Sequence, residues 1–150
     1  MQAAEGRIGR VFVVRLEEGD MIPRCLEEYA LEQNIKVALV TMISGIGEGK
    51  VVSGPKESNR MPIDPIIKVV EGAHEMVAAG LIASDEEDKP KLHIHGALAR
   101  SGKVMGGCLR MGVKTWLVGE VVIIEILGLE GKRILDRKSN YPLLTPTTAQ

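Results

Sequence analysis

Apolar residues along this chain fall in short alternating or continuous runs, separated by glycine, proline and clusters of charge. Residues 8–16 (IGRVFVVRL) read as a first strand rich in β-branched side chains. Residues 17–20 (EEGD) supply a turn ending in Asp20, a good helix N-cap, and Pro23 is tolerated in a first helical turn. Ile22, Cys25, Leu26, Tyr29 and Ala30 then recur at the spacing of one helical face. Glu27, Glu28 and Glu32 fall mostly on the other faces, and Asn34 is the expected stop. Cys25 thus sits on the buried stripe as core packing, because a free cysteine behaves as a small hydrophobe.

Residues 35–43 (IKVALVTMI) make a nearly continuous apolar run, the pattern of a buried central strand. The run breaks at Ser44-Gly45-Ile46-Gly47-Glu48-Gly49, read as a tight turn, and resumes at Lys50-Val51-Val52. Residues 54–65, with three prolines, read as a mobile loop. Residues 66–70 and 74–83 give two strands joined by a turn at Glu71-Gly72, and residues 84–90 (SDEEDKP) a solvated acidic turn. Residues 91–100 and 103–111 follow as two strands, and 116–127 as a last long one. The tail after Gly128, with Pro142 and Pro146, reads as irregular and frayed at its end. The expectation is one α+β domain over residues 1–150, a mostly antiparallel sheet flanked by one main helix. Its ordered core runs over about residues 7–128.

Composition narrows the partners. Lys plus Arg number 19 against 20 for Asp plus Glu, a formal net charge of −1, which lacks the positive excess that drives binding to phosphate backbones. No apolar run reaches the roughly 18–20 residues that cross a bilayer, and residues 1–10 lack the apolar stretch of a signal peptide. A cytoplasmic protein is expected, with Cys25 and Cys108 as thiols. The segment from Gly45 to Lys50 matches neither a Walker loop nor a dinucleotide fingerprint, so it carries no phosphate signal.

The chemistry concentrates in one hairpin. Successive strand residues point to opposite faces, so His93 and His95 share one face. A two-residue turn at Ser101-Gly102 pairs Arg100 with Lys103, Leu98 with Met105, His95 with Cys108 and Ile94 with Leu109. That register collects Leu92, Ile94, Leu98, Met105, Leu109 and Met111 on one apolar face. His93, His95 and Cys108 gather on the other, beside Ala97, Ala99 and Gly106. Directly opposed Cβ atoms lie about 4.5–5.5 Å apart, so three donors can meet at one ion. Two imidazoles and a thiolate suit four-coordinate zinc with one position open, although copper, iron and nickel accept the same ligand types. The alternative leaves the histidines as half-exposed strand residues and Cys108 as filler; a bulge at Gly106-Gly107 would turn Cys108 to the other face.

Other polar residues have weaker claims. His74, at the start of a strand, suits a surface or inter-subunit role. Glu120 and Glu125 sit on opposite faces of an apolar strand and need partners, with Arg110, Lys114 or a neighbouring subunit available. Glu120 and Arg110 are candidate supports beside the metal donors.

The chain resembles the Plants and Prokaryotes Conserved (PPC) domain family over nearly its whole length. The likeness rests on the first strand, the Glu-Gly-Asp turn and the helix after it, Ser44-Gly45-Ile46-Gly47, Gly72 to Gly80, His93-Ile94-His95, Gly102-Lys103-Val104-Met105-Gly106-Gly107-Cys108-Leu109 and Glu120-Val121-Val122-Ile123. The resemblance implies an antiparallel sheet flanked by helices and assembly as a homotrimer. It also implies a metal site at the paired histidines, with Cys108 standing where a third histidine is usual. Plant members carry AT-hook peptides and bind DNA. Gly6-Arg7-Ile8-Gly9-Arg10 lacks the proline of such a hook, so the DNA-binding description is inherited by resemblance alone. The resulting expectation is a metal-binding, regulatory or ligand-binding module. The alternative is a metal-dependent, hydrolase-like enzyme using the open position of a zinc held by two histidines and a cysteine.

Overall fold

The computed structural model describes residues 1–148; the chain end expected to fray, Ala149-Gln150, lies outside the described residues. The elements are β1 (Arg7–Glu17), β2 (Met21–Ile22), α1 (Arg24–Glu32), β3 (Ala38–Pro55), β4 (Pro65–Ser84), β5 (Pro90–Arg100), β6 (Lys103–Cys108), β7 (Val113–Leu127), β8 (Leu129–Asp136) and β9 (Tyr141–Thr148). All nine strands belong to one sheet whose order is β1-β7-β3-β6-β5-β4-β8-β9, with β2 beside β7 and a further pairing of β3 with β4. Every pairing is antiparallel except a single parallel bridge between Ser84 and Lys132. The architecture is therefore mostly β, with one short helix.

Inward positions alternate along the long strands and build the core: Val40 and Met42 of β3, Ile82 of β4, Leu92, Ile94 and Leu98 of β5, Val121 and Ile123 of β7. Helix α1 adds Leu26 and Ala30 beneath them, and Cys25 packs at the edge of the same cluster. Burial pushes the Cys25 thiol up to about 11, which leaves it protonated and inert near neutrality. Outward positions form continuous rows across the strands. Val11, Ile124, Leu39, Leu81 and His93 make one row; Val13, Val122, Thr41, Ala79 and His95 the next; Arg15, Glu120, Ile43, Val77 and Ala97 a third.

Several expected turns are absent, each for a physical reason. The helix begins after Pro23, and Asp20 is not its cap. Met21 and Ile22 pair with Lys114 and Val113 of β7, and the Asp20 carboxylate instead accepts the Glu17 N–H at 2.8 Å. Strand β3 does not break at its glycines but runs on with two register shifts, between Ser44 and Ile46 and between Ile46 and Glu48. Those glycines admit Trp116: a Cβ on Gly45 would stand 2.3 Å from the Trp116 carbonyl oxygen. The turn expected at Glu71-Gly72 is a bulge inside β4, where Gly72 takes φ +73° and the register steps from Ile46↔His74 to Glu48↔Glu71. His74 is buried rather than at the surface, and its Nδ1–H donates to the Gly72 carbonyl at 2.8 Å.

Within the tail, residues 129–148 form the β8–β9 hairpin, eight paired positions from Leu129↔Thr148 to Asp136↔Tyr141. Pro142 and Pro146 fit because β9 is the edge strand, where a missing N–H leaves no partner unsatisfied. Among the described residues, no helix is long and apolar enough to cross a membrane.

Glu125 faces inward on β7 and is 6% exposed. Its partner is neither Arg110 nor Lys114 but Arg10 on β1, whose Nε and Nη2 donate to the two carboxylate oxygens at 2.7 Å each. These bonds hold the Glu125 carboxyl below the usual carboxylate range. A depressed carboxyl stabilises the fold above its ordinary value near 4.3, and that stabilisation disappears as pH falls through the folded value. Glu125→Gln is expected to be less stable than the parent at pH 7, with the two urea midpoints converging below about pH 4. A deficit that persisted unchanged into acid would refute this assignment.

Candidate metal centre

Strands β5 and β6 meet in the register Arg100↔Lys103, Leu98↔Met105, Gly96↔Gly107 and His95↔Cys108, without a bulge at the paired glycines. The ladder ends just beyond, where the Leu109 N–H donates to the Ile94 carbonyl at 3.0 Å. Leu109 is fully buried beside Leu92, Ile94 and Leu98, whereas Met111 is exposed and leaves the expected apolar face.

Cys108 holds a second bridge, to Val52 of β3. That contact closes β3, β4, β5 and β6 into a ring, since each pairs with the next. Gly107 permits the closure: a Cβ there would stand 2.2 Å from the Val52 carbonyl oxygen. Cys108 is consequently only 5% exposed, while both histidines are open to solvent.

The ligating atoms of His93, His95 and Cys108 all lie within 4.8 Å of one another. The two Nε2 atoms are 3.0 Å apart, a separation that serves either an N–H···N hydrogen bond or a shared cation. In a tetrahedral zinc site, nitrogen and sulfur ligands stand about 3.3–3.6 Å apart. The trio, within 4.8 Å of one another, stands near that spacing, and its donor types suit such an ion. Desolvation, then the charges of Arg133, His95 and Arg110, push the His93 pKa below its usual value. Its ring is thereby kept neutral and able to ligate at neutral pH.

Beside His93 opens a cleft of about 810 Å³, framed by α1, the start of β5, the segment between β6 and β7, and the β8–β9 hairpin. Arg110 lines it and stacks on the Tyr141 ring, 4.3 Å from guanidinium carbon to ring centroid. Arg133 lines it too, though only 7% exposed, donating through Nη2 to the Leu81 carbonyl at 2.7 Å. Glu120 does not join this group. It is level with Ile43, Val77 and Ala97 in an outward row, so three strand spacings, about 14 Å, separate β7 from β5 within one subunit.

Arg133 and Tyr141 lie in the segment read from sequence as an irregular tail. A signal was present: residues 129–136 and 141–148 flank Lys138-Ser139-Asn140, a polar turn sequence, and Asn140 takes φ +57°.

A family model described as the Plants and Prokaryotes Conserved (PCC) domain matches residues 3–127. Among solved structures, a metal-containing protein from Archaeoglobus fulgidus is similar with a TM-score of 0.82 at 24% identity, covering 95% of this chain and 98% of that one. A plant- and prokaryote-conserved (PPC) protein from Pyrococcus horikoshii gives 0.79 at 19%, covering 100% and 99%. A Ralstonia eutropha protein, described provisionally as DNA-binding, gives 0.73 at 23%, covering 88% of each chain. No curated protein matches the chain.

The closure at Val52 makes Gly107 sensitive to any side chain. Gly107→Ala is expected to cost about 1–3 kcal/mol in urea unfolding, because β3 and β6 must part. Gly106→Ala, whose Cβ meets only the Gly96 carbonyl oxygen at 3.3 Å, is expected to cost clearly less. Equal costs would show that the ring closure does not constrain position 107.

Proposed function

The chain belongs to the Plants and Prokaryotes Conserved domain family, and on that premise we propose that it is a homotrimeric, metal-binding module with a regulatory or ligand-binding role. Each subunit would hold one divalent ion, zinc by preference, through His93, His95 and Cys108. The observation that carries this reading is the convergence of three soft donors, from two paired strands, within 4.8 Å. The likeness to a metal-containing archaeal protein adds support. A bound zinc with three protein ligands supplies an open position that polarises or holds an oxygen ligand. The residues contribute differently: His93 and His95 offer ring nitrogens from an exposed face, and Cys108 offers a sulfur sheltered under the β3–β6 closure. A cytoplasmic setting suits this arrangement, since Cys108 must remain a thiol until it meets the ion.

The trimer is supported by the outward sheet face. Val11, Val13, Ile43 and Val77 are each more than half exposed and stand in adjoining rows. A contiguous apolar surface of this kind is characteristic of association sites. The metal donors occupy the end of the same rows, so assembly would place another subunit near them.

A hydrolytic function has less support. The two carboxylates lining the cleft are already engaged: Glu27 accepts the Leu92 N–H at 3.0 Å, and Asp85 accepts the amides of Glu87 and Lys89. Direct duplex binding has only the provisional description of a similar fold behind it, and the net charge of −1 offers no electrostatic drive.

Elemental analysis of protein purified without a metal-affinity tag should find about one zinc per chain. Cys108→Ser should lower zinc affinity at least tenfold and His95→Asn should abolish stoichiometric binding. A metal-free wild type that stays metal-free on dialysis against zinc would end this reading. For the assembly, Val77→Glu should convert the trimer to monomers in light scattering while circular dichroism stays unchanged. A monomeric parent protein at high micromolar concentration would exclude it.

A further inference from the structure

Two guanidinium groups, Arg110 and Arg133, line the cleft, and neither is ion-paired with the Glu27 or Asp85 carboxylate that lines it too. Arg133 is over nine-tenths buried, and its hydrogen bonds run to backbone carbonyls, Leu81 at 2.7 Å and Lys91 at 3.4 Å. Among the described residues its Nη1 makes no hydrogen bond within the protein, and the group is in no ion pair. Arg110 likewise meets an aromatic ring rather than an acid. Of the other charges lining the cleft, Lys91 pairs with Glu27 at 3.6 Å and Arg24 with Glu28 at 2.8 Å, while the Asp85 carboxylate accepts the Glu87 and Lys89 amides at 2.9 Å. A buried charge without a counter-ion is costly, and burial lowers the pKa of Arg133 accordingly. The fold nevertheless keeps this residue, on a hairpin that lies beyond the family match at residues 3–127.

We infer that the cleft is a binding site for a small organic oxyanion, its carboxylate or phosphate head set between Arg110 and Arg133. The volume of about 810 Å³ is that of a small-molecule pocket. Met21, Pro23, Met111 and Pro142 supply an apolar wall for the ligand's body. Guanidinium groups favour planar carboxylates and phosphates because two parallel N–H donors match two oxygens. His93 lines the same cleft, so an anion held by the arginines would share it with one of the metal donors. This inference gives a chemical class to the ligand-binding role proposed above, and rests on that role; the ion itself is not required for it.

Isothermal calorimetry on the full chain, both EDTA-treated and zinc-loaded, would test it with 3-phenylpropanoate, phenyl phosphate and the uncharged 3-phenylpropanamide. At least one anion should bind the metal-free protein, and the amide should bind at least about tenfold more weakly, as expected for lost charge-assisted hydrogen bonds. The tighter of the two anions identifies the head group. Arg110→Gln should weaken the anion at least about tenfold and leave the amide unchanged. Arg110 is exposed, so this variant reports even if Arg133→Gln does not fold. An amide that binds as tightly as the tighter anion, absence of any anion binding, or an unaltered Arg110→Gln would overturn the proposal. Zinc retention without anion binding would sink this inference alone. Anion binding by a protein that takes up no zinc would sustain it while removing the metal reading.

Discussion

The close approach of β6 to β3 is the contact on which the site geometry depends. One bridge, Val52 to Cys108, joins the end of a six-residue strand to the far arm of an eighteen-residue one. It exists because Gly107 has no side chain to collide with the Val52 carbonyl. The same contact buries the Cys108 sulfur while the histidines opposite remain in solvent. Register in an antiparallel pair is all or nothing: a one-residue slip would carry Cys108 to the core face and leave two histidines without a third donor. The three-donor cluster is thus a consequence of backbone packing, not of long flexible side chains that happen to meet.

Charge is handled in two opposite ways in this fold. At one end of β7 the buried Glu125 carboxylate has a forked partner, Arg10, brought by strand pairing to face it. Near the start of β5 a buried guanidinium, Arg133, has carbonyl oxygens only. The first arrangement is self-contained and serves the fold. The second leaves positive charge facing an open cleft, next to His93, whose protonation it disfavours. A neutral imidazole and a guanidinium outside any ion pair are what a metal and an anion, respectively, would each require of the residues around them.

Both features sit at the rim of an outward sheet face whose long rows carry Val11, Val13, Ile43 and Val77. The inward rows of the same strands are buried under α1 and the curled arms of β3 and β4. The inner face is thus satisfied by the chain itself, whereas the outer face mixes exposed valines and Ile43 with Arg15, Glu120 and the two histidines.

Much of this was legible in the sequence because it is local. Alternation marked β1, β5, β6 and β7, the Ser101-Gly102 turn set the hairpin register, and that register placed His93, His95 and Cys108 on one face. What periodicity and turn chemistry could not supply was the use made of glycine and proline by distant neighbours. Gly45 and Gly47 look like a turn until Trp116 is laid across them, and Gly72 looks like another until β3 pairs past it. Pro142 and Pro146 mark an irregular tail unless β9 is known to be an edge strand. Short-range pattern therefore determined which residues pair within a hairpin and which side chains share its face. Only the tertiary structure decided the ring closure at Val52, the partner of Glu125 and the delivery of Arg133 to the cleft. Those contacts join residues far apart in the chain, and the steric and electrostatic reasons for them appear only when the strands are side by side.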